Sequence, residues 1–226
     1  MHPKAMLFLI DFDGTLAVND SVDALLERFA PDEWRTVEQE WLDGRITAMQ
    51  CMREQIRMVR ADHVQLEAFF RGVQLDASFI PFLRHVRAFA DVAIVSDGLD
   101  HAVRVASKAA GMPELPVYAN RLHFVPQGLD LSFPHQATDC ASGSGVCKCA
   151  VSASLAKASA GPVVLVGDGK SDNCLASRVD VVFAKSVLAA YCQKERIAFH
   201  PFNSFADVLA AVRKWPTPVA AQSQIA

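Results

Sequence analysis

Four short runs of the chain are apolar almost without interruption: MLFLI at 6–10, DVAIV at 91–95, PVVLVG at 162–167 and VDVVFA at 179–184. Runs of this length, rich in β-branched residues, predict strands buried on both faces, as in a parallel sheet covered by helices. Amphipathic or helix-favouring stretches separate and follow them, at 78–90, 99–110, 148–160, 171–178 and 204–213. This alternation predicts an α/β fold, a doubly wound Rossmann-like parallel sheet. The stretch 117–135 breaks the alternation and reads as a hairpin turning near Gln127–Gly128.

Residues 19–76 contain no strand candidate. Val22, Leu25, Leu26 and Phe29 recur at helical spacing, as do Trp34, Val37 and Trp41, then Met49, Met52 and Ile56. A connection this long is an inserted helical unit, since strand-to-helix loops are normally short. The expected organisation is a Rossmann-like core at 1–18 and 77–216, a helical cap at 19–76 and a loose tail at 217–226. Trp34 and Trp41 are expected in the cap's own core.

Polar, glycine-punctuated residues gather where three of the strands end: DFDGT from Asp11, SDG from Ser96 and GDGKSD from Gly167. Open α/β sheets place their ligand crevice beyond these carboxyl ends. Asp11 and Asp13, two residues apart on extended chain, point the same way, and a cation would offset their repulsion. Gly14 permits the tight turn that brings backbone N–H groups towards an anion. The plainer alternative is a capping aspartate followed by a turn aspartate.

The 226 residues are 51% hydrophobic with a formal net charge of -3. That balance does not favour nucleic-acid binding, and no apolar run reaches membrane-spanning length. With no signal-like segment before Asp11, the expected location is cytoplasmic, with the six cysteines reduced.

DFDGT, VSDG, Lys148 ahead of a helix, and GDGKSD together resemble the four motifs of the haloacid dehalogenase superfamily of phosphohydrolases. The early helical insert is similar to the cap of its phosphoserine-phosphatase-like branch. FDGTLAVND, VSDGLD, ANRLHF, the FPH, DC and CKC of 133–149, and VVFAKSVLAAYC resemble the 2-hydroxy-3-keto-5-methylthiopentenyl-1-phosphate phosphatase-like group. The resemblance implies a Mg2+-dependent phosphomonoester hydrolase, with Asp11 as nucleophile and Asp13 as general acid/base. It implies Asp11, Asp13 (through its carbonyl), Asp168 and Asp172 around the metal, with Asp172 orienting metal waters or Lys148. Gly14, Thr15, Ser96, Asp97, Gly98 and Lys148 would contact the phosphate. The partner is then a small phosphorylated metabolite, of methylthio-sugar enol-phosphate, phosphoserine or phosphocholine type. Asp97 and Ser171 depart from the glycine and asparagine usual in phosphoserine phosphatases. Two other classes compete: a receiver-like phosphoaspartate signalling domain, which would carry its acceptor on a later strand, and a non-catalytic phosphate binder, which would need a broken motif.

Three further expectations concern residues outside these motifs. Arg53, Arg57 and Arg60 share a helix face that either attracts anionic substrate or is merely solvated. Cys140, Cys147 and Cys149 with His135 could hold zinc, against free thiols beside the site. His63, His85, His101 and His200 read as isolated surface or locally satisfied residues.

Overall fold

The computed structural model describes residues 6–140, 142–159 and 161–215. The first apolar run forms β1 (Met6–Ile10), buried throughout. Helices α1 (Ser21–Phe29), α2 (Trp34–Leu42), α3 (Ala48–Met58) and α4 (His63–Arg71) follow, without a strand between them. Their starts are legible locally: Asp20 accepts from the N–H groups of Val22 and Asp23, while Thr47–Gln50 and Asp62–Gln65 form capping boxes.

The chain returns through α5 (Phe79–Val86) to β2 (Ala90–Leu99), α6 (Asp100–Ala109), β3 (Val117–Val125) and β4 (Gly128–Ser132). Then come α7 (Lys148–Ala156), β5 (Val163–Gly167), α8 (Asn173–Ala176), β6 (Val181–Ala184), α9 (Ser186–Glu195), β7 (His200–Pro201) and α10 (Phe205–Val212). The sheet order is β4-β3-β2-β1-β5-β6-β7. All pairings are parallel except β3–β4.

The sheet is therefore mixed rather than wholly parallel, and the expected hairpin is part of it. β3 extends β2 in parallel, and β4 turns back on β3 at the edge. One face buries Phe8, Ile10, Phe82 and Phe205; the other buries Leu7, Leu9, Leu165 and Leu188. Alternate β1 residues thus feed opposite layers, as burial on both faces requires. α9 and β7 lie in a stretch where the sequence pattern predicts no element. The expected tail, 217–226, lies outside the described residues.

A third apolar cluster joins the helical insertion to the sheet edge, with Leu25, Trp34, Ile56 and Phe70 packed against Leu99, Ala102 and Leu131. Two polar contacts reinforce it on the α3 side. Arg57 makes a two-pronged contact with Asp130 of β4, at 3.0 and 3.2 Å, and Arg53 donates to the Leu131 carbonyl at 2.7 Å. Arg60 donates to the Arg57 carbonyl. Arg53 and Arg57 dock α3 on the hairpin, Arg60 lies past the end of that helix, and none of the three lines the cavity at the strand ends.

Candidate active site

The carboxyl ends of β1, β2 and β5 open into a cavity of about 840 Å3 beneath the helical insertion. Asp11, Asp13, Gly14, Ser96, Asp97, Gly98 and Asp168 all line it. Thr15 reaches it indirectly, donating from Oγ1 to Asp168 Oδ1 at 2.7 Å. Lys148 begins α7, only 3% exposed, and places Nζ 2.9 Å from Asp11 Oδ1 and 2.7 Å from Asp172 Oδ1. Burial opposes its charge, but Asp11 and Asp172 outweigh it and hold the ammonium well above its ordinary range.

The carboxylates are strained electrostatically in the opposite sense. Burial and then Asp172 push the Asp11 carboxyl upward, with Lys148 opposing them. Burial likewise raises Asp168, aided by Asp172 and opposed by its Thr15 hydrogen bond. One oxygen each from Asp11, Asp168 and Asp172 fall within 4.8 Å of one another. An all-oxygen set with surplus negative charge fits a hard divalent cation. Of the three, Asp172 is the most committed: Oδ1 holds Lys148, and Oδ2 accepts from the Gly169 N–H at 3.2 Å.

Asp13 stands apart from this group. Its Oδ1 accepts from the N–H of Ser21, the first residue of α1, at 2.8 Å. Burial, with a smaller push from Asp20, brings its carboxyl to about 7. A carboxyl near neutrality can both give and take a proton.

Close approach accounts for the glycines. Gly14 adopts φ +69°, and a Cβ there would strike the Asp168 carboxylate; a Cβ at Gly98 would strike Asp13, and one at Gly167 would strike Asp172. Ser96 Oγ accepts from the Gly98 N–H at 3.0 Å, which leaves its own proton for another acceptor. Asp97, expected at the phosphate, lines the cavity, and its carboxylate is also held by the chain around it. It accepts from the Val146 N–H at 3.0 Å and from Asn120 at 3.3 Å, so it ties down the loop before α7.

Several further cavity residues are given no role by the motifs, although Lys170 lies within GDGKSD, Asp20 within FDGTLAVND and Lys185 within VVFAKSVLAAYC. Lys170 and Lys185 come from the loops after β5 and β6; Asp20, Asp23, Glu38, Trp41 and Gln55 come from the insertion. Trp41 is thus a wall of the cavity, with Lys170 Nζ 5.0 Å from its ring, whereas Trp34 is core as expected. Partial burial, then Asp20 and Glu38, push the Asp23 carboxyl up to about 6.

The expected thiol and imidazole ligands do not assemble. All six cysteines are free thiols. Cys140, Cys147 and Cys149 line a separate cavity of about 240 Å3 with Cys174. His135 instead packs against Tyr118, and these four residues do not form a metal-ligand group among the described residues. The Lys148 side chain, committed to Asp11 and Asp172, separates Cys147 from Cys149 in sequence, and the two thiols flank its helix start.

Comparison with known proteins agrees with this geometry. The haloacid dehalogenase-like hydrolase family model matches residues 8–177. The chain is 27% identical over 215 residues to a 2-hydroxy-3-keto-5-methylthiopentenyl-1-phosphate phosphatase of Geobacillus kaustophilus, covering 93% of this chain and 97% of the relative. It is 29% identical over 208 residues to the protein of that name in Exiguobacterium sibiricum, covering 89% and 93%. A solved structure described as a phospho-aspartyl intermediate analogue of phosphoserine phosphatase shares the fold, with TM-score 0.69 at 20% identity over 93% of this chain and 99% of that one. No helix among the described residues is long and apolar enough to cross a membrane. The chain belongs to the haloacid dehalogenase-like hydrolases, and its buried aspartates beside Lys148 mark it as a phosphatase.

Proposed function

We propose that the protein hydrolyses a small phosphomonoester through an aspartyl phosphate on Asp11. The observation that carries this is the pairing in one cavity of Asp11, held 2.9 Å from buried Lys148, with Asp13, whose Oδ1 accepts from the Ser21 N–H at 2.8 Å. Asp11 Oδ1 is occupied by the Phe12 N–H and Lys148, so Oδ2 is the oxygen offered to phosphorus. As the Asp11–phosphorus bond forms, the ester bond breaks and Asp13 protonates the departing oxygen. Asp13, now a carboxylate, takes a proton from water as that water attacks phosphorus. The Asp11–phosphorus bond breaks, releasing phosphate and restoring both aspartates. Lys148 and the Ser96 hydroxyl stabilise the charge on the phosphoryl oxygens. Mg2+, held by Asp11, Asp168 and the Asp13 carbonyl with Asp172 behind them, would screen repulsion between nucleophile and substrate.

For the substrate, the first reading is a methylthio-sugar enol phosphate, supported by the relatives' named activity over nearly their whole length. Met52 and Cys51 of the insertion reach the cavity, compatible with a thioether. Met58, Phe69 and Phe70, however, pack in the apolar cluster and do not speak to the substrate. A second reading, an amino-alcohol phosphate such as phosphocholine, is favoured by the acidic roof: Asp20, Asp23 and Glu38 beside Trp41 suit a cationic substituent. The test is phosphate release from a panel of these esters with and without Mg2+. Mg2+-dependent turnover of at least one is expected, and kcat/KM ranks the two readings. Turnover of none, or of phosphoproteins alone, would overturn the proposal.

A further inference from the structure

The structure brings together two histidines that stand 38 positions apart in the sequence. His63 opens α4, Glu67 follows one turn later on the same face, and His101 lies at the start of α6. One ligand atom from each falls within 4.8 Å of the other two. Glu67 divides its oxygens: Oε2 faces Arg71 at 3.4 Å, and Oε1 faces His101 Nε2 at 3.7 Å.

That 3.7 Å is too long for a hydrogen bond. It is close to the roughly 3.4 Å that separates two ligands bound tetrahedrally to one ion at 2.0–2.2 Å. His101 Nε2 is buried, with no hydrogen-bond partner among the described residues. An unsatisfied buried ring nitrogen costs stability unless something occupies its lone pair. Burial lowers the His101 pKa, with the neighbouring His63 and Arg104 adding to the effect against Glu67 and Asp100. A neutral imidazole is the form that ligates a metal. Phe70 and Phe124 wall the group, their ring centroids 5.9 and 5.7 Å from that of His101, and such an apolar surround strengthens ligand–metal attraction.

We propose that His63, Glu67 and His101 form a binding site for a divalent transition-metal ion of zinc type, which staples α4 of the helical insertion to α6. Two imidazoles and one carboxylate are a ligand set that zinc accepts, and exposed His63 leaves the fourth position to water. The site is separate from the cavity aspartates, and it stands whether or not the proposed reaction is correct. Its role is mechanical: α3 is already fixed to the hairpin by Arg53 and Arg57, and the ion fixes the other side of the insertion.

The test uses the full chain, stripped with chelator and kept in excess Mg2+ so that the aspartates are occupied. Titration with Co2+ should give one equivalent of tetrahedral d–d absorption without a thiolate charge-transfer band. Zn2+ at a hundredfold excess over its Kd should raise Tm by roughly 5–10 °C. His63→Gln, a change on an exposed side chain, should abolish both signals and keep the Mg2+-supported kcat; His101→Gln should abolish both as well. Absorption carrying a thiolate band, signals that survive in His63→Gln, or no Co2+ spectrum and no Zn2+ shift in the native chain would each overturn the site.

Discussion

The floor and the roof of the cavity at the strand ends are built on different terms. On the floor, at the strand ends, the motif side chains have fixed partners: Lys148 has Asp11 and Asp172, Asp168 has the Thr15 hydroxyl, and Asp13 has the Ser21 N–H. Glycines stand wherever a Cβ would strike one of these carboxylates. On the roof, Asp23, Glu38 and Trp41 come from α1 and α2, partly open to solvent. Fixed groups suit chemistry, where small displacements are costly; a looser acidic roof suits recognition of what the phosphate is attached to.

This contrast can be broken from the floor upwards. Asp11→Asn should remove turnover by several orders of magnitude while the fold survives, measured as kcat beside circular dichroism. Gly98→Ala pushes a methyl group into Asp13, and kcat should fall about a hundredfold with little change in Tm. Asp168→Ala removes an anionic oxygen from the metal group, so the Mg2+ concentration for half-maximal activity should rise at least about tenfold. On the roof, Glu38→Gln should cut kcat/KM for an amino-alcohol phosphate by up to about tenfold and leave p-nitrophenyl phosphate unaffected, if the second substrate reading holds. Arg57→Ala should have the smallest effect, leaving kcat unchanged, because its partner Asp130 lies on the hairpin outside the cavity.

The floor is also the more legible half in the sequence. Its residues follow buried strands, and strand ends are marked by abrupt changes from apolar to acidic and glycine. Asp11, Asp13, Ser96 and Asp168 can therefore be placed together from the sequence alone. The roof residues sit on amphipathic helices, where period alone does not tell a cavity wall from a core position. Trp41 shares the spacing of Trp34 and Val37, yet only those two are buried. Asp97 lines the cavity beside its motif neighbours, and only the contact with Val146 reveals that it also holds the loop. β7 has two residues, too few for any period, and α9 follows β6 almost at once, so the pattern blurs there. The His63–Glu67 spacing is visible, but nothing local announces His101 across the fold.

The most direct test of the chemistry is to trap the acyl phosphate. Wild-type protein and Asp13→Asn would be mixed with p-nitrophenyl phosphate and Mg2+, quenched in acid, reduced with borohydride and mapped by mass spectrometry. The p-nitrophenolate leaves without needing a proton, so the Asp13→Asn protein can form the intermediate but lacks the group that activates water for its breakdown. The mechanism predicts reduction of the side chain at position 11 to the homoserine alcohol, more abundant in Asp13→Asn than in wild type. Reduction at another aspartate, or an unmodified position 11 in a variant that still releases a burst of p-nitrophenolate, would contradict it.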